Sequence, residues 1–487
     1  MIFPTKEKFL ELSQKYNRVT VYKEIAGDLF TPITLLRNFS NEKYLFLLES
    51  ANLDKTFSRY SFFGINPSKI IKFRNGKLFS IKNGKKTEIE MNPIDYLNHE
   101  ISDFNGYNDK LFGDFCGGFV GYFGYEMANY FGFLRERLKE DPKSDLLALM
   151  FVDEYYVFDN HYGKMYAAKA VKCSNNPEKD YDLATKSLNK MASIILKYNF
   201  DNFDSDNEIV IEKDFEKEQF IQNVESIKKD IENGELIQCV LSNKYTLKGS
   251  INPVTLYRTL RNINPSPYMF YLKFDDYVLC GSSPEIHLKV VGKKAILKPI
   301  AGTYSVSENL EEVKKHLLND EKEVAEHLML LDLARNDLYT SCNNVEVTQS
   351  FVAEVYSHVI HIVSEVTGDM KPSENALKLF MKTFPAGTVT GAPKVRAMEL
   401  INNYEKSPRG FYAGCTGYIS YNGNLDTCIT IRSALVDKNK TIFRAGAGIV
   451  YDSIPENEFF EVEKKLAALN TAVKRIKSLE ENNVFTN

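Results

Sequence analysis

The run YAGCTGYISYNGNLDTCITIRSAL (residues 412–435) constrains the architecture more than any other stretch, because two β-rich segments flank Asn422-Gly423. That dipeptide between alternating apolar residues is the strongest short-range signal for an antiparallel hairpin. MFYLKF-DD-YVLCG and HLKVVGKKAIL read as further hairpins. Between them lie helices. EQFIQNVESIKKDIENG carries Phe220, Val224, Ile227 and Ile231 at helical spacing and stops at Asn233-Gly234. Strand–turn–strand units mixed with long helices predict an α+β fold with large antiparallel β-sheets, two-lobed and packed as a sandwich with helices outside, and argue against a doubly wound parallel sheet.

A length of 487 residues, 44% of them hydrophobic, allows a large core and more than one domain. Residues 174–210 change character: SNNPEKDYD and NFDNFDSDNE are polar and turn-rich around one amphipathic segment, LATKSLNKMASIIL. The expected organisation is an N-terminal region (1–175), a connecting segment (176–214) and a C-terminal domain (215–475). A net charge of -4 gives no basic excess for nucleic acid. The charged start MIFPTKEKFLELSQKYN is not a secretory signal, and no run reaches the length of a membrane span. Seven cysteines, widely spaced and without a C-x-x-C pair, read as buried thiols in a reducing compartment, so a cytoplasmic protein is expected.

FPAGTVTGAPKVRAMEL (384–400) poses a question of anion binding. A Walker loop places its lysine directly after the second glycine; here Ala392-Pro393 intervene before Lys394. A helix start with Thr388 and Thr390 nearby suits a carboxylate, and a tight turn permitted by Gly387 and Gly391 is the plainer alternative. In NDEKEVAEHLMLLDLARNDL, Val324, Leu328 and Leu331 are expected as the buried stripe, with Glu323, Glu326, His327 and Leu330 on an adjacent face. Glu323 and Glu326 stand three apart on one helix, and Glu458 and Glu461 repeat the device in SIPENEFFEVEKKLAALNTAVKRI, with Lys465 one turn on. Two such pairs suit a hard divalent cation; two solvated acidic faces are the alternative. Arg432, inside an apolar strand, needs an anionic partner, either a ligand or a salt bridge. His361 lies in a strand-like run, as catalyst or satisfied core residue. Gly446 and Gly448 offer backbone N–H groups to a ligand, or mark a bulge.

Together, PIAGT (299–303), DEKEVAEHLMLLDLARNDL (320–338), YSHVIHIVS (356–364), FPAGTVTGAPKVRAMEL, RGFYAGCTGYI (409–419), DTCITIR (426–432) and AGAGIVYDSIPENEFFE (445–461) resemble the chorismate-utilising enzymes in order and spacing. Within them the likeness is to the large subunits of anthranilate synthases. LLES (47–50), RYSFFGINP (59–67) and NPSPYMFYL (264–272) resemble that branch's tryptophan-sensing pocket, which implies Leu48, Glu49, Ser50, Arg59, Pro267, Tyr268 and Met269 as inhibitor-binding residues. After PIAGT this chain continues YSVS (304–307) where an arginine-containing run is usual.

The resemblance implies an Mg²⁺-dependent lyase that makes anthranilate and pyruvate from chorismate and ammonia, with tryptophan as feedback inhibitor. Glu326 and Glu461, with Glu323 and Glu458 nearby, are implied as Mg²⁺ ligands. Tyr412, Arg432 and the backbone of Gly446, Ala447 and Gly448 are implied to hold the enolpyruvyl carboxylate. Gln238, Ala301, Gly302, Thr303 and Lys465 complete the implied substrate site, and Thr388 assists. Glu285 is implied as general acid and His361 as a group assisting loss of the ring proton. Ammonia is implied to come from a separate glutamine amidotransferase subunit, so a hetero-oligomer is expected. Gln238 stands where relatives that add water carry a lysine base, and Ala301 where aminodeoxychorismate synthases often carry a lysine nucleophile. Aminodeoxychorismate synthase is the enzymatic alternative; a catalytically inert tryptophan-binding regulator is the alternative of another class. For Tyr412 and Arg432 to share a face, the hairpin between them must close with a three-residue loop or a bulge.

Overall fold

The computed structural model describes the chain except residues 26, 28–29, 51–58, 110–111, 196–209, 250, 306–308, 357–358 and 467–487. The hairpin forms as its Asn-Gly signal requires. Cys415–Ser420 pairs antiparallel with Leu425–Ile429, setting Cys415 opposite Ile429 and Ile419 opposite Leu425. Ser420 N–H donates to Asn424 O at 2.8 Å, so Tyr421, Asn422 and Gly423 form a three-residue loop. Gly423 takes φ 82, the left-handed position that closes such a loop. The register condition on Tyr412 and Arg432 is thereby met. Tyr268–Phe274 with Tyr277–Ser283, and Ile286–Val291 with Lys294–Leu297, form the other two predicted hairpins.

These units assemble into a 14-stranded and a 12-stranded sheet. Among the described residues every pairing is antiparallel except that of Arg18–Ile25 with Gly106–Tyr107. Both sheets draw strands from both halves of the chain. Tyr44–Glu49 pairs with Tyr268–Phe274 in the larger sheet, and Gly118–Phe123 pairs with Cys415–Ser420 in the smaller. The glycine-rich GGFVGYFGY segment allows that second pairing, since a Cβ on Gly118 would collide with Ile419 O. One apolar cluster, including Phe119, Tyr122, Phe270, Leu279, Leu288 and Ile429, draws residues from both sheets. A second joins the other side of the larger sheet to helices through Phe9, Leu188, Phe220, Val224, Leu256 and Val462. Each such side chain contributes about 1.5–3 kcal/mol of burial. No described helix is long and apolar enough to cross a membrane.

Two local expectations change. The helix of the connecting segment starts at Pro177, capped by the Asn176 side chain, and runs to Ile194, so part of the polar SNNPEKDYD run is helical. Its polar residues are the solvent face, while Ala184, Leu188 and Met191 pack inward. In the helix Glu321–Tyr339 the buried stripe is His327, Leu330, Leu331, Ala334 and Leu338; Leu328 is 50% exposed. The helix is turned because His327 is anchored into the sheet: its Nε2 lies 2.7 Å from Ser364 Oγ on the strand Val359–Met370. A histidine counted as polar was the core residue, and a leucine counted as core faces water.

Candidate active site

The larger sheet supplies one wall. Gln238–Lys248 pairs with Lys440–Ile449, which sets Val240 opposite Gly448, Leu241 opposite Ala447 and Ser242 opposite Gly446. The glycines matter for what lies against them. A Cβ on Gly448 would stand 2.7 Å from Gln238 Nε2, and one on Gly446 would stand 2.9 Å from Tyr412 Oη. Gln238 and Tyr412 are both buried. Gln238 Oε1 has no hydrogen-bond partner among the described residues. Lys465 Nζ donates to Gly446 O at 2.9 Å from the helix at 455–466.

Opposite stands the acid–base set. Glu285 is buried at the turn between Tyr277–Ser283 and Ile286–Val291. Burial pushes its carboxyl up to about 8, against the pull of Thr388, Arg432 and Lys465, so it holds its proton at neutral pH. Thr388 Oγ1 is buried beside it, short of hydrogen-bond geometry. Gly387 lets the segment approach this closely: a Cβ there would lie 1.8 Å from Leu333 Cδ2. Arg432 is held in the left-handed region at φ 49, with its charge facing Glu285. His361 Nδ1 lies 2.7 Å from Gly302 O. A carbonyl only accepts, so Nδ1 carries the proton and Nε2 is the basic nitrogen. Burial lowers this imidazole to about 4, and Arg432 and Lys465 push the same way; it is neutral at pH 7.

The predicted anion turn is built differently from its expectation. The helix Lys394–Tyr404 starts at Pro393 without a side-chain cap. Thr390 Oγ1 donates to Ala386 O at 2.8 Å, and Lys394 is bound by Asp337 at 2.9 Å and 3.0 Å. Of this motif, Ala386, Gly387 and Thr388 line a small pocket together with Glu285. Ala301 and Gly302 are buried on the strand Ile300–Ser305, Gly302 with φ 68. Thr303 lies on that strand, its side chain outside the described set.

The two acidic helices face each other. A Cβ on Gly302 would stand 3.0 Å from Glu323 Oε2. Burial raises Glu326 to about 7, reinforced by the charges of Glu323 and Glu461. Burial and then Glu461 also raise Glu458. Lys465 Nζ sits 2.6 Å from Glu461 Oε1. Among the described residues no group of three or more His, Cys, Asp or Glu side chains is drawn close enough to hold a metal ion. The donor chemistry nonetheless suits a hard cation: carboxylates of two helices repel one another, with Lys465 and Lys322 offsetting only part of that.

A separate cavity of about 300 Å³ lies between the sheets. All seven residues predicted for the inhibitor pocket line it: Leu48, Glu49, Ser50, Arg59, Pro267, Tyr268 and Met269. Three are already engaged, and one of them, Tyr268, donates through its Oη to Asp426 Oδ1 at 2.9 Å. Glu49 accepts from Tyr257 Oη at 2.7 Å, and Arg59 binds Asp159 at 2.8 Å. Sequence reasoning missed its polar end, where Lys289 bridges Asp114 and Asp426 at 3.0 Å and 3.4 Å. It also missed Arg444, within the strand Lys440–Ile449, although the argument applied to Arg432 covers IFRAGAG equally; Arg432 itself lies between the strands Leu425–Ile429 and Ser433–Asp437 and not inside one.

Residues 44–471 match the family model described as chorismate binding enzyme. The chain is 37% identical to anthranilate synthase component 1 of Acetivibrio thermocellus, over 97% of this chain and 99% of that one. It is likewise 37% identical to anthranilate synthase component 1 of Aquifex aeolicus, over 96% and 97%. Among solved structures, anthranilate synthase component I from Streptococcus pneumoniae superposes with a TM-score of 0.76 at 32% identity, covering 92% of this chain and 99% of that chain. The menaquinone-specific isochorismate synthase of Escherichia coli shares the fold, with a TM-score of 0.69 at 18% identity over 96% and 98%.

Proposed function

The chain belongs to the chorismate-binding enzyme family, closely related to anthranilate synthase component I, and on that premise we propose that it converts chorismate and ammonia to anthranilate, pyruvate and water. The observation that carries this reading is a buried Glu285 and a buried His361, whose Nδ1 is held by Gly302 O, both facing the charges of Arg432 and Lys465; burial raises the first to about 8 and lowers the second to about 4. Neither Gln238 nor Ala301 offers the lysine that other outcomes require, which supports ammonia as nucleophile and pyruvate as product.

Arg432 and Tyr412, with the backbone at Gly446–Gly448, bind the enolpyruvyl carboxylate. Ammonia forms a C–N bond at the ring carbon beside the carboxylate-bearing one, the ring double bonds shift, and the C–O bond of the ring hydroxyl breaks. Glu285 gives its proton to that hydroxyl, which leaves as water. His361 Nε2 then faces the ring proton; its removal restores the ring electrons as enolpyruvate departs and ends as pyruvate. Glu323, Glu326, Glu458 and Glu461 would hold Mg²⁺, which supplies charge neutralisation for the ring carboxylate. A glutamine amidotransferase partner supplies ammonia in the cytoplasm, and the cavity between the sheets binds tryptophan as inhibitor.

Purified chain with chorismate, Mg²⁺ and ammonium salt is expected to yield anthranilate fluorescence and pyruvate together, both suppressed by tryptophan. An aminated product without pyruvate would move the assignment to aminodeoxychorismate synthesis. Leu48 is partly buried on the cavity wall. Leu48→Phe overfills that space and is expected to weaken tryptophan inhibition roughly tenfold, about 1.4 kcal/mol of lost binding. A dose–response curve unchanged from the parent would remove tryptophan from this cavity.

A further inference from the structure

Behind the substrate wall lies a buried charge cluster built from both halves of the chain. Arg409, Glu405, Arg444 and Glu126 are all less than 5% exposed. The Arg409 guanidinium binds Glu405 at 2.7 Å and 3.0 Å. It also donates to Val389 O at 2.6 Å and Val240 O at 2.8 Å. Its carbon lies 4.7 Å from the ring centre of Tyr125 and 5.6 Å from that of Tyr412. Arg444 donates to Ser242 Oγ at 2.9 Å and to Pro408 O at 2.6 Å. Glu126 accepts the backbone N–H groups of Arg409 at 2.7 Å and Gly410 at 3.0 Å, while Tyr125 N–H donates to Gly410 O at 2.8 Å.

Three of the segments that Arg409 touches carry a substrate-site residue. Val389 follows Thr388, and Val240 lies two residues beyond Gln238. Tyr412 is itself in the site. The loop at Tyr412 is strained at one residue: Ala413, with a Cβ, takes φ 60. A left-handed alanine costs about 1–2 kcal/mol and persists only where its surroundings impose it. Buried ion pairs are seldom more stable than apolar packing of the same volume, so net stability is a poor reason for this cluster.

We propose that Arg409 is a positioning residue, whose planar fork fixes Tyr412, the Thr388 segment and the Gln238 strand relative to one another around the substrate carboxylate, while Glu126 from the N-terminal half holds the backbone of the Tyr412 loop. The inference rests on the reading that this site binds chorismate. Lysine keeps the charge and loses the fork. Arg409→Lys is expected to raise the KM for chorismate roughly tenfold with a smaller change in kcat. Tyr412→Phe in the Arg409→Lys background is expected to cost little more, because Tyr412 has already lost its placement. Glu126→Gln shifts KM in the same direction and less.

Strictly additive effects of Arg409→Lys and Tyr412→Phe would overturn the proposal, as would unchanged KM in Arg409→Lys. If circular dichroism shows that Arg409→Lys does not fold, Glu126→Gln decides, and an unchanged KM there overturns it. The parent chain is measured first. Absence of chorismate turnover in the parent would overturn the proposed function itself, whereas turnover there with unaltered variants overturns the positioning role alone.

Discussion

Replacing Glu285 with glutamine is expected to lower kcat by about 10²–10⁴-fold, the range for loss of a positioned general acid. The side chain keeps its volume and loses only the proton it can give. Burial, the main cause, raises this carboxyl to about 8, so the active form is protonated below that pH and is lost above it. With free ammonia held constant, kcat of the parent should fall as pH rises through about 8, and Glu285→Gln should lack that limb. The same shift fixes the sign for stability. Between the ordinary carboxylate value and about 8 the folded state holds a proton that the unfolded state has released, so stability falls with rising pH across that window. Glu285→Gln should therefore unfold at a higher temperature than the parent at pH 7–8. A gain in stability with a loss of turnover marks a functional residue; a loss of both would mean that Glu285 is structural.

The same residue shows where sequence reading stops. Hairpins and helices were legible because their signals are local: Asn422-Gly423 and the spacing of Phe220, Val224 and Ile227 each lie within a few residues. The interleaving of the halves was not, because the pairing of Gly118–Phe123 with Cys415–Ser420 joins strands some 300 residues apart. Site residues were named from motifs, but their states needed burial. Nothing in SSPE indicates a proton held at neutral pH; the enclosing sheets do that. Orientation was the weakest inference within an element, as in Glu321–Tyr339, where His327 faces the core and Leu328 faces water. Glu126 illustrates the limit most clearly. It ends the glycine-rich run CGGFVGYFGYE (116–126), which carries no chemical motif, yet it binds the backbone of Arg409, 283 residues away.

Glu326→Gln is expected to remove the Mg²⁺-supported activity, by about 10²-fold or more if the cation supplies the charge neutralisation proposed here. Its effect on the metal-free protein should run the other way. Glu326 is raised to about 7 by burial first, and then by Glu323 and Glu461, with Lys465 and Lys322 offsetting only part of this. Ionised and without a cation, it is a buried charge among like charges. A neutral amide of the same size relieves that repulsion, so the variant without Mg²⁺ should unfold at a higher temperature than the parent at neutral pH. Mg²⁺ with chorismate should stabilise the parent by about 2.7 kcal/mol at one hundred times the dissociation constant, read as a rise in melting temperature, and leave the variant nearly unmoved. These two responses separate a metal site from a pair of solvated acidic faces. Solvated faces would give a small change in melting temperature on substitution and the same Mg²⁺ response in both proteins. A metal site requires the order of stabilities to reverse when the cation is added, because the charges that destabilise the empty site are the ones that bind the ion.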